Sequence, residues 1–267
     1  MNLGLAGRAC VVTGASRGIG RDVAERLCAE GAHVLMVARG ADDLAAAVKS
    51  AGAAGPGEVS GLALDVTDHD AAERIVADAT ERFGQLDVVV NNAGQAKWRK
   101  LSDIPDEDWQ AAWELNVMVP MRLMRAAIPG MAKRGWGRIV NVSSTAGKRP
   151  SSHMPEYSVA KAAQLSLSKV FSEAHASSGV LVNAVCPGPT ASEMWMEPGG
   201  LLDQAKELSG AASRDEALEA AGASRPIGRL AEPAEVGGVI AFLCSDAASY
   251  VTGVAWGVDG GTVQVII

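Results

Sequence analysis

The sequence predicts an α/β fold, a doubly wound parallel sheet of about seven strands in a single domain spanning residues 1–267. Short apolar runs alternate along the chain with longer amphipathic stretches. The short runs are nearly continuous in valine, isoleucine and leucine, which strands need when helices cover both faces of a sheet. Repeated strand–helix units with right-handed crossovers then give a doubly wound parallel sheet.

The apolar runs place the strands at residues 9–13, 33–38, 60–65, 88–91, 138–143, 180–185 and 254–258. The amphipathic stretches place helices at residues 18–30, 41–51, 68–83, 105–132, 156–177 and 233–244. Residues 193–225 interrupt this alternation, because they contain no strand pattern and only two short helix patterns, at 201–208 and 214–221. A long insertion of this kind indicates a lid over a substrate site. The alternative is a surface insertion without a role.

Composition and charge limit the classes of partner. The chain has a net charge of −7 and no block of Lys or Arg, so binding to nucleic acid or to an anionic membrane is not predicted. Its four cysteines form no CxxC pair, and no metal site is predicted. No apolar run reaches the ~18 residues of a membrane span, and no secretory signal pattern is seen. We therefore expect a cytoplasmic protein.

A glycine-rich turn, TGASRGIG, connects the first predicted strand to the first helix. Glycines let the backbone approach a ligand closely, and a helix N-terminus favours an anion such as a phosphate. The GK[ST] ending of a P-loop is absent. A tight strand–helix turn without a ligand is the alternative. The candidate cofactor-binding residues here are Gly14, Ser16, Arg17, Gly18, Ile19 and Gly20.

Arg39 follows the second predicted strand, where an acidic residue would accept hydrogen bonds from the ribose of NAD. An arginine suits the 2′-phosphate of NADP instead, and Arg17 in the glycine turn is a second candidate for that phosphate. Two solvated surface arginines are the alternative. Asp65, expected to end the third strand, is a candidate for the adenine amino group, with Val66 beside it. A helix cap is the alternative role for this segment.

The fourth predicted strand ends at the small residues of the NNAG motif, which leave room for a ribose and a nicotinamide. Asn92, Ala93 and Gly94 are therefore candidate cofactor contacts. Asn116 stands in the middle of a helical stretch, where asparagine is mildly unfavourable. It indicates either a local break that frees a backbone carbonyl for a water molecule, or an ordinary exposed side chain.

Ser144 follows the fifth predicted strand and precedes Tyr157 by thirteen residues. A hydroxyl at this strand end could polarise a substrate carbonyl. Ser143 is the alternative, since alternation along a strand sends one of the two hydroxyls away from the site. Neither serine is accompanied by a histidine in a nucleophile elbow, so Ser–His–Asp hydrolysis is not predicted.

Tyr157 and Lys161 are four residues apart, which places both side chains on one face of the predicted helix 156–177. A phenol alone titrates near pKa ~10, and a cation within about 4–6 Å lowers that pKa. The pair therefore predicts a tyrosine that gives or takes a proton near neutral pH. Taken alone, the same spacing also fits a packed tyrosine beside an exposed lysine.

The sixth predicted strand leads into an abrupt turn, CPGPTAS, in which prolines and a glycine redirect the chain. Backbone groups around Thr190 and the hydroxyl of Ser192 are candidates to hold a nicotinamide carboxamide. Pro187 and Gly188 shape the turn and are candidate cofactor contacts. A rigid turn without a ligand is the alternative.

In this order, these motifs resemble those of the short-chain dehydrogenase/reductase family in its short, single-domain form. The motifs that carry the resemblance are TGASRGIG, NNAG, Asn116, Ser144, Tyr157-x₃-Lys161, the Pro187-Gly188 turn and the late segment VAWGVDGG. The resemblance implies a Rossmann fold and a nicotinamide cofactor. It also implies a homotetramer in which helices 105–132 and 156–177 pack across one interface.

The resemblance further implies a catalytic tetrad of Asn116, Ser144, Tyr157 and Lys161. In this scheme Tyr157 is the general acid or base and Ser144 orients the substrate oxygen. Lys161 binds the nicotinamide ribose and lowers the pKa of Tyr157, so both residues are also cofactor contacts. Asn116 holds a water molecule that connects Lys161 to solvent.

The leading hypothesis is an oxidoreductase that transfers a hydride between NADP(H) and a small-molecule carbonyl or secondary alcohol. An NAD(H)-dependent alcohol dehydrogenase of the same family would apply if Arg39 points to solvent. A non-catalytic nucleotide-binding regulator is the hypothesis from another class. Four residues are candidates for an apolar substrate wall, with a packed core as their alternative role: Trp98, Met194, Trp195 and Met196.

Overall fold

The computed structural model describes residues 3–264, which form a seven-stranded, all-parallel sheet in the order β3-β2-β1-β4-β5-β6-β7. The strands are β1 Ala9–Thr13, β2 His33–Ala38, β3 Val59–Ala63, β4 Val88–Asn91, β5 Gly137–Val142, β6 Val180–Pro187 and β7 Ala255–Val258. The predicted doubly wound α/β fold is therefore confirmed. The strand order reverses between β1 and β4, and ligands of such sheets bind beside the carboxyl ends of the strands at this point.

Eleven helices of the described chain cover the sheet or belong to its connections. They are α1 Gly18–Ala29, α2 Ala41–Gly52, α3 Ala71–Phe83, α4 Asp106–Trp113, α5 Val119–Arg134, α6 Thr145–Lys148, α7 Pro155–His175, α8 Glu193–Met196, α9 Leu201–Ser209, α10 Arg214–Ala223 and α11 Pro233–Leu243. Local signals fix several starts. Proline begins α7 and α11, and Glu232 and Glu235 form a capping box on α11.

The core lies on both faces of the sheet. Val12, Val34 and Val90 on one face pack in a buried cluster with residues of α1 and α11, such as Leu27 and Ile240. The other face packs in a second cluster with side chains of α3 and α5. Burial on both faces explains why the strands are nearly continuous in apolar residues rather than alternating.

Two of the predicted elements differ from the structure in a way that affects the candidate site. The third strand ends at Ala63, so Asp65 lies two residues beyond it rather than at its end. The predicted helix 105–132 is divided, because a π-helical turn at Glu114–Met118 separates α4 from α5. A π-helical turn is the kind of local break that Asn116 indicated, and such turns are frequent at functional sites.

The insertion after β6 contains α8, α9 and α10 and has its own small apolar cluster around Trp195, Leu202 and Leu230. The two short helices predicted inside it correspond to α9 and α10. Among residues 3–264, the structure contains no helix with the length and hydrophobicity of a membrane span.

Candidate active site

The glycine turn after β1 lies against the end of β4. The Thr13 hydroxyl oxygen accepts hydrogen bonds from the backbone N–H groups of Asn92 (3.0 Å) and Ala93 (3.1 Å). The Asn92 side-chain amide donates to the carbonyls of Thr13 (3.0 Å) and Gly14 (3.1 Å). Gly14 has φ +63°, and a Cβ added there would lie 2.9 Å from Ala93 Cα. Glycine is therefore required where these two loops approach each other.

This turn fits the phosphates of a dinucleotide. Helix α1 begins at Gly18 without a side-chain hydrogen bond at its N-cap residue, Arg17, and without an acidic residue in its first turn. Its first N–H groups are left for an anion, which the helix dipole also favours. Ser16 lies in the turn itself, and Ile19 packs against the core beside it.

Replacing Gly20 by alanine is expected to destabilise the protein by about 1–3 kcal/mol, the typical cost of overpacking. The new Cβ would lie 2.4 Å from both the Asn92 side-chain nitrogen and the Gly14 carbonyl oxygen, so the turn would have to shift. Urea unfolding measures the change. The matched control is Gly238→Ala in α11, where a Cβ meets nothing within 4 Å. Alanine should raise the free energy of unfolding there by about 0.5–1 kcal/mol, because it favours a helix more than glycine does. Equal effects of the two substitutions would contradict the close contact.

The predicted adenosine end contains Arg39 and Asp65. Arg39 Nη1 lies 3.8 Å from Asp65 Oδ2, and the Arg39 side chain is 75% exposed. The other carboxylate oxygen of Asp65 accepts hydrogen bonds from the backbone N–H (3.0 Å) and hydroxyl (2.7 Å) of Thr67. The backbone hydrogen bond from Thr67 is the largest cause of the lowered pKa of Asp65, and the hydroxyl of Thr67 adds to it. Asp65 thus orders the turn after β3, where Val66 packs partly buried, and keeps one oxygen for another donor.

Arg17 does not point to the same acid as Arg39. Its guanidinium instead pairs with Glu197, just after α8 in the insertion, at 2.7 Å. Each of the two arginines predicted for a 2′-phosphate therefore faces a carboxylate of the protein.

Ser144, rather than the alternative Ser143, lies beside Tyr157. The Ser144 side chain lies close enough to the Tyr157 hydroxyl to lower the pKa of that phenol by hydrogen bonding. Ser144 also caps α6, accepting from the Ala146 N–H at 3.1 Å. Ser143 is buried, and its hydroxyl donates to the Lys161 carbonyl at 3.1 Å. Ser143 is thus used to fix α7 against β5, while Ser144 lies beside the phenol.

Lys161 is buried, with a 2% exposed surface, at the side of Tyr157. Its amine lies 5.5 Å from the centre of the tyrosine ring and donates to the Val142 carbonyl (2.7 Å) and the Gln164 side chain (3.1 Å). Burial lowers the pKa of Lys161 to about 7. The amine can therefore exchange a proton near neutral pH.

The predicted lowering of the Tyr157 pKa was wrong for the protein alone. Desolvation of the partly buried ring raises the pKa of Tyr157 to about 12, against a smaller lowering by the hydrogen bond to Ser144. The expectation assumed a full positive charge on Lys161, but burial weakens that charge at neutral pH. Tyr157 is consequently protonated at pH 7, as a proton donor must be.

Asn116 is buried in the π-helical turn, with 1% exposure, so the exposed alternative was wrong. Its side-chain nitrogen donates to the Ala112 carbonyl at 2.9 Å, while its side-chain oxygen has no partner. A Cβ added at Gly94 would lie 3.7 Å from that oxygen and 3.8 Å from the Lys161 amine. Both polar groups therefore border the space over Gly94, where a water molecule would have suitable partners.

The turn after β6 closes the site from the other side. Gly188 donates to the Val258 carbonyl at 2.9 Å, and a Cβ there would lie 2.9 Å from Asp259 Cα, so Pro187 and Gly188 pack closely against β7. Thr190 is buried and its hydroxyl donates to the Gly188 carbonyl at 3.0 Å. Its side chain thus stiffens the turn. Ser192 reaches the glycine turn, since its Cβ would lie 3.2 Å from a Cβ added at Gly18.

The aromatic residues predicted for a substrate wall form a packed cluster in part. Trp195 is buried and meets Trp98 edge-on at 6.4 Å between ring centres, and Trp98 stacks on His153 at 5.7 Å. Trp195 therefore belongs to the core of the insertion. Met194 remains exposed, and Met196 is partly buried. The indole N–H of Trp98 is buried without a partner, whereas its backbone N–H donates to the Gln204 side chain at 2.8 Å.

Several residues of the site escaped the sequence reasoning. Gln164, the partner of Lys161, could have been found from its i+3 spacing on the same helix. Thr13 precedes the first glycine and could have been read as a connector of the two loops. Nothing local in the sequence indicates that Glu193 and Glu197 reach the glycine turn. A cleft of about 560 Å³ lies there between α1 and the start of the insertion.

Comparisons with known proteins cover nearly the whole chain. Residues 14–263 match the sequence family described as enoyl-(acyl carrier protein) reductase. The 3-oxoacyl-[acyl-carrier-protein] reductase FabG of Vibrio cholerae serotype O1 is 35% identical over 263 residues, which are 98% of this chain and 100% of that protein. The protein of the same name from Thermotoga maritima is also 35% identical, over 97% of this chain and 99% of its own.

A solved structure matches equally well. The L-sorbose reductase from Gluconobacter frateurii, in complex with NADPH and L-sorbose, covers 100% of both chains with a TM-score of 0.92 and 35% sequence identity. Levodione reductase matches with a TM-score of 0.90 at 29% identity, over 98% of this chain and 99% of its own.

Proposed function

We propose, from the premise that the chain belongs to the short-chain dehydrogenase/reductase family, that it reduces a small-molecule carbonyl with NADPH, Tyr157 acting as the general acid. The protein is an NAD(P)-dependent oxidoreductase of the CH–OH/carbonyl class. The observation that carries the proposal is the protonated Tyr157 beside the Ser144 hydroxyl, with the buried Lys161 amine 5.5 Å from the centre of its ring.

Reduced nicotinamide supplies the hydride when the cofactor is bound. Ser144 and Tyr157 provide two hydroxyl groups that can hold one substrate oxygen between them. As negative charge develops on that oxygen, Tyr157 donates its proton. In the oxidative direction, the same tyrosine would accept the proton of the alcohol, so these residues can serve both directions.

Lys161 and Asn116 would replace the proton that Tyr157 gives up. With its pKa at about 7, Lys161 can release a proton without a large free-energy cost at neutral pH. The unpaired side-chain oxygen of Asn116 would hold a water molecule over Gly94, within reach of the lysine amine. This path would connect the buried amine to solvent.

The cofactor would lie across the carboxyl ends of the strands. The glycine turn and the N-terminus of α1 would hold its pyrophosphate, and Arg39 and Arg17 would meet a 2′-phosphate. Asn92, Ala93 and Gly94 would border the ribose, and the turn from Pro187 to Ser192 would border the nicotinamide. NADPH is the cofactor in the L-sorbose reductase complex, which supports the same preference in this chain.

NAD(H) is the second candidate cofactor, and one observation favours it. The Arg39 side chain is largely exposed and its charge is partly balanced by Asp65. An arginine held in this way would favour NADP(H) over NAD(H) less strongly.

A homotetramer and a cytoplasmic location stay predictions. Large apolar side chains are exposed along α4 and α7, including Trp113, Val159 and Val170, which supports packing against another subunit. The four cysteines are buried free thiols, which suits a reducing compartment.

A panel of ketones, β-ketoesters and an enoyl thioester, each with NADPH or NADH, tests the proposal. We expect the absorbance of the reduced nicotinamide to fall with carbonyl substrates and faster with NADPH. Turnover of the enoyl thioester alone would contradict carbonyl reduction, since it requires transfer to a carbon–carbon double bond. Cofactor binding without turnover of the carbonyl panel or of a matching alcohol panel would favour the non-catalytic regulator.

A further inference from the structure

The start of the insertion crosses the glycine turn and brings two carboxylates with it. A Cβ added at Gly18 would lie 3.3 Å from Glu193 Oε2, so this carboxylate reaches the first residue of α1. Four residues further on, Glu197 pairs with Arg17 at 2.7 Å. Both carboxylates line the cleft between α1 and the insertion.

These acids occupy the surface that a dinucleotide needs. The first turn of α1 has no acidic residue of its own and no side-chain cap, so its N–H groups attract an external anion. The carboxylate of Glu193 lies beside the point where a pyrophosphate would approach. A carboxylate beside a bound phosphate would repel it, so Glu193 would oppose binding of the pyrophosphate at this turn.

Other charges of the cleft do not resolve this competition. Arg21 pairs with Glu25 at 3.0 Å, and Asp22 pairs with Arg26 at 2.6 Å. Arg17 is thus the cation of the glycine turn that pairs with an acidic residue of the insertion. Its ion pair with Glu197 joins side chains that are 57% and 51% exposed, and such pairs are weak enough to exchange partners readily.

We infer that Glu193 and Glu197 hold the insertion over the phosphate-binding turn as internal competitors of the cofactor phosphates, and that Glu197 restrains Arg17 from a 2′-phosphate. Cofactor binding then exchanges these carboxylates for phosphate and releases the start of the insertion. The two residues would differ in kind. Glu193 faces the pyrophosphate region, which NADPH and NADH share, whereas Glu197 controls Arg17, which only NADPH would use. This inference rests on the proposed use of a nicotinamide cofactor.

Titration of the purified protein with NADPH and with NADH, followed by cofactor fluorescence, tests it without turnover. We expect Glu193→Gln to lower Kd for both cofactors by about two- to fivefold. We expect Glu197→Gln to lower Kd for NADPH by about two- to fivefold and to change Kd for NADH by much less. Both gains should shrink in about 0.5 M salt, because exposed charges are screened. Glu207→Gln in α9, an exposed acid without an ion pair among residues 3–264, is the matched control.

A double-mutant cycle separates the restraint on Arg17 from a general change in charge. In an Arg17→Ala background, Glu197→Gln should no longer favour NADPH over NADH. Proteolysis of the insertion should also become faster when NADP⁺ is added to the wild-type protein, and this response should be reduced in the Glu193→Gln/Glu197→Gln variant.

Two outcomes would overturn the inference while leaving the proposed function intact. One is unchanged Kd values in both glutamine variants, and the other is an equal gain for NADPH and NADH from Glu197→Gln that persists without Arg17. A wild-type protein that binds neither cofactor would instead remove the proposed function itself.

Discussion

Tyr157→Phe is expected to lower kcat for carbonyl reduction by about 10²–10⁴-fold, the usual contribution of a positioned general acid. Phenylalanine keeps the ring and removes only the hydroxyl that meets Ser144. The substrate oxygen would then lose both a hydrogen-bond partner and its proton donor. Steady-state kinetics with NADPH and the best carbonyl of the panel measure the change, and fluorescence titration should show cofactor Kd within about twofold.

The chain provides a close control for this substitution. Its only other tyrosine, Tyr250, is fully exposed, so Tyr250→Phe removes a phenol without affecting the site. Retained turnover in Tyr157→Phe, with both variants folded by thermal unfolding, would refute the assignment of Tyr157. Loss of cofactor binding together with turnover would show that the hydroxyl acts in binding rather than in proton transfer.

Lys161→Met is expected to lower kcat/KM by about 10²-fold or more and, at the same time, to stabilise the protein at acidic pH. The pKa of Lys161 is about 7 in the folded protein and near 10.5 in the unfolded chain. Holding a proton is thus less favourable after folding, by on the order of 3–5 kcal/mol. Methionine has a similar length and carries no charge, so it removes this cost.

The gain in stability from Lys161→Met should depend on pH. Below pH 7 the amine is protonated in both states and its full cost opposes folding. Between about pH 7 and 10.5 the unfolded chain binds the additional proton, so the stability of the wild-type protein rises with pH in that window. The advantage of Lys161→Met should therefore be largest below pH 7 and fade toward pH 10.5.

Urea unfolding at pH 6, 8 and 10 measures this slope, which is independent of the hydrogen bonds that methionine loses to Val142 and Gln164. Lys169→Met, on the same helix but exposed and paired with Glu173, is the control and should show no such trend. A constant difference between Lys161→Met and wild type across the three pH values would contradict the lowered pKa of Lys161.

The sequence was sufficient for the parts of this molecule that depend on local pattern. The near-continuous apolar runs located the five central strands, because burial on both faces leaves few polar positions in them. The edge strands β3 and β7 are partly exposed and were located mainly by their place in the strand–helix alternation. The spacing between Tyr157 and Lys161 predicted a shared helix face, since helical geometry alone sets it. The choice between Ser143 and Ser144 needed the structure, because only packing decides which hydroxyl turns toward the phenol.

Features that depend on distant contacts or on burial were not accessible from the sequence. The pKa of Tyr157 moved in the opposite direction to the prediction, because desolvation outweighs the hydrogen bonding of Ser144. Arg17 and Glu197 are 180 residues apart, and no periodicity connects them. Trp195 looked equally suited to a pocket and to a core until its contact with Trp98 placed it in the core of the insertion.

The central position of β1 in the sheet has a consequence for the order of assembly. β1 pairs with β2 on one side and with β4, almost eighty residues later, on the other. During synthesis, the first three strands emerge before β4, and the glycine turn then lacks Asn92 and Ala93, whose N–H groups bond to Thr13. The proposed nucleotide site therefore lies between a part of the sheet that is synthesised early and a part that is synthesised later. A bound nucleotide would contact both parts and stabilise their association. The proposed site is incomplete in a nascent chain until residue 93 has left the ribosome.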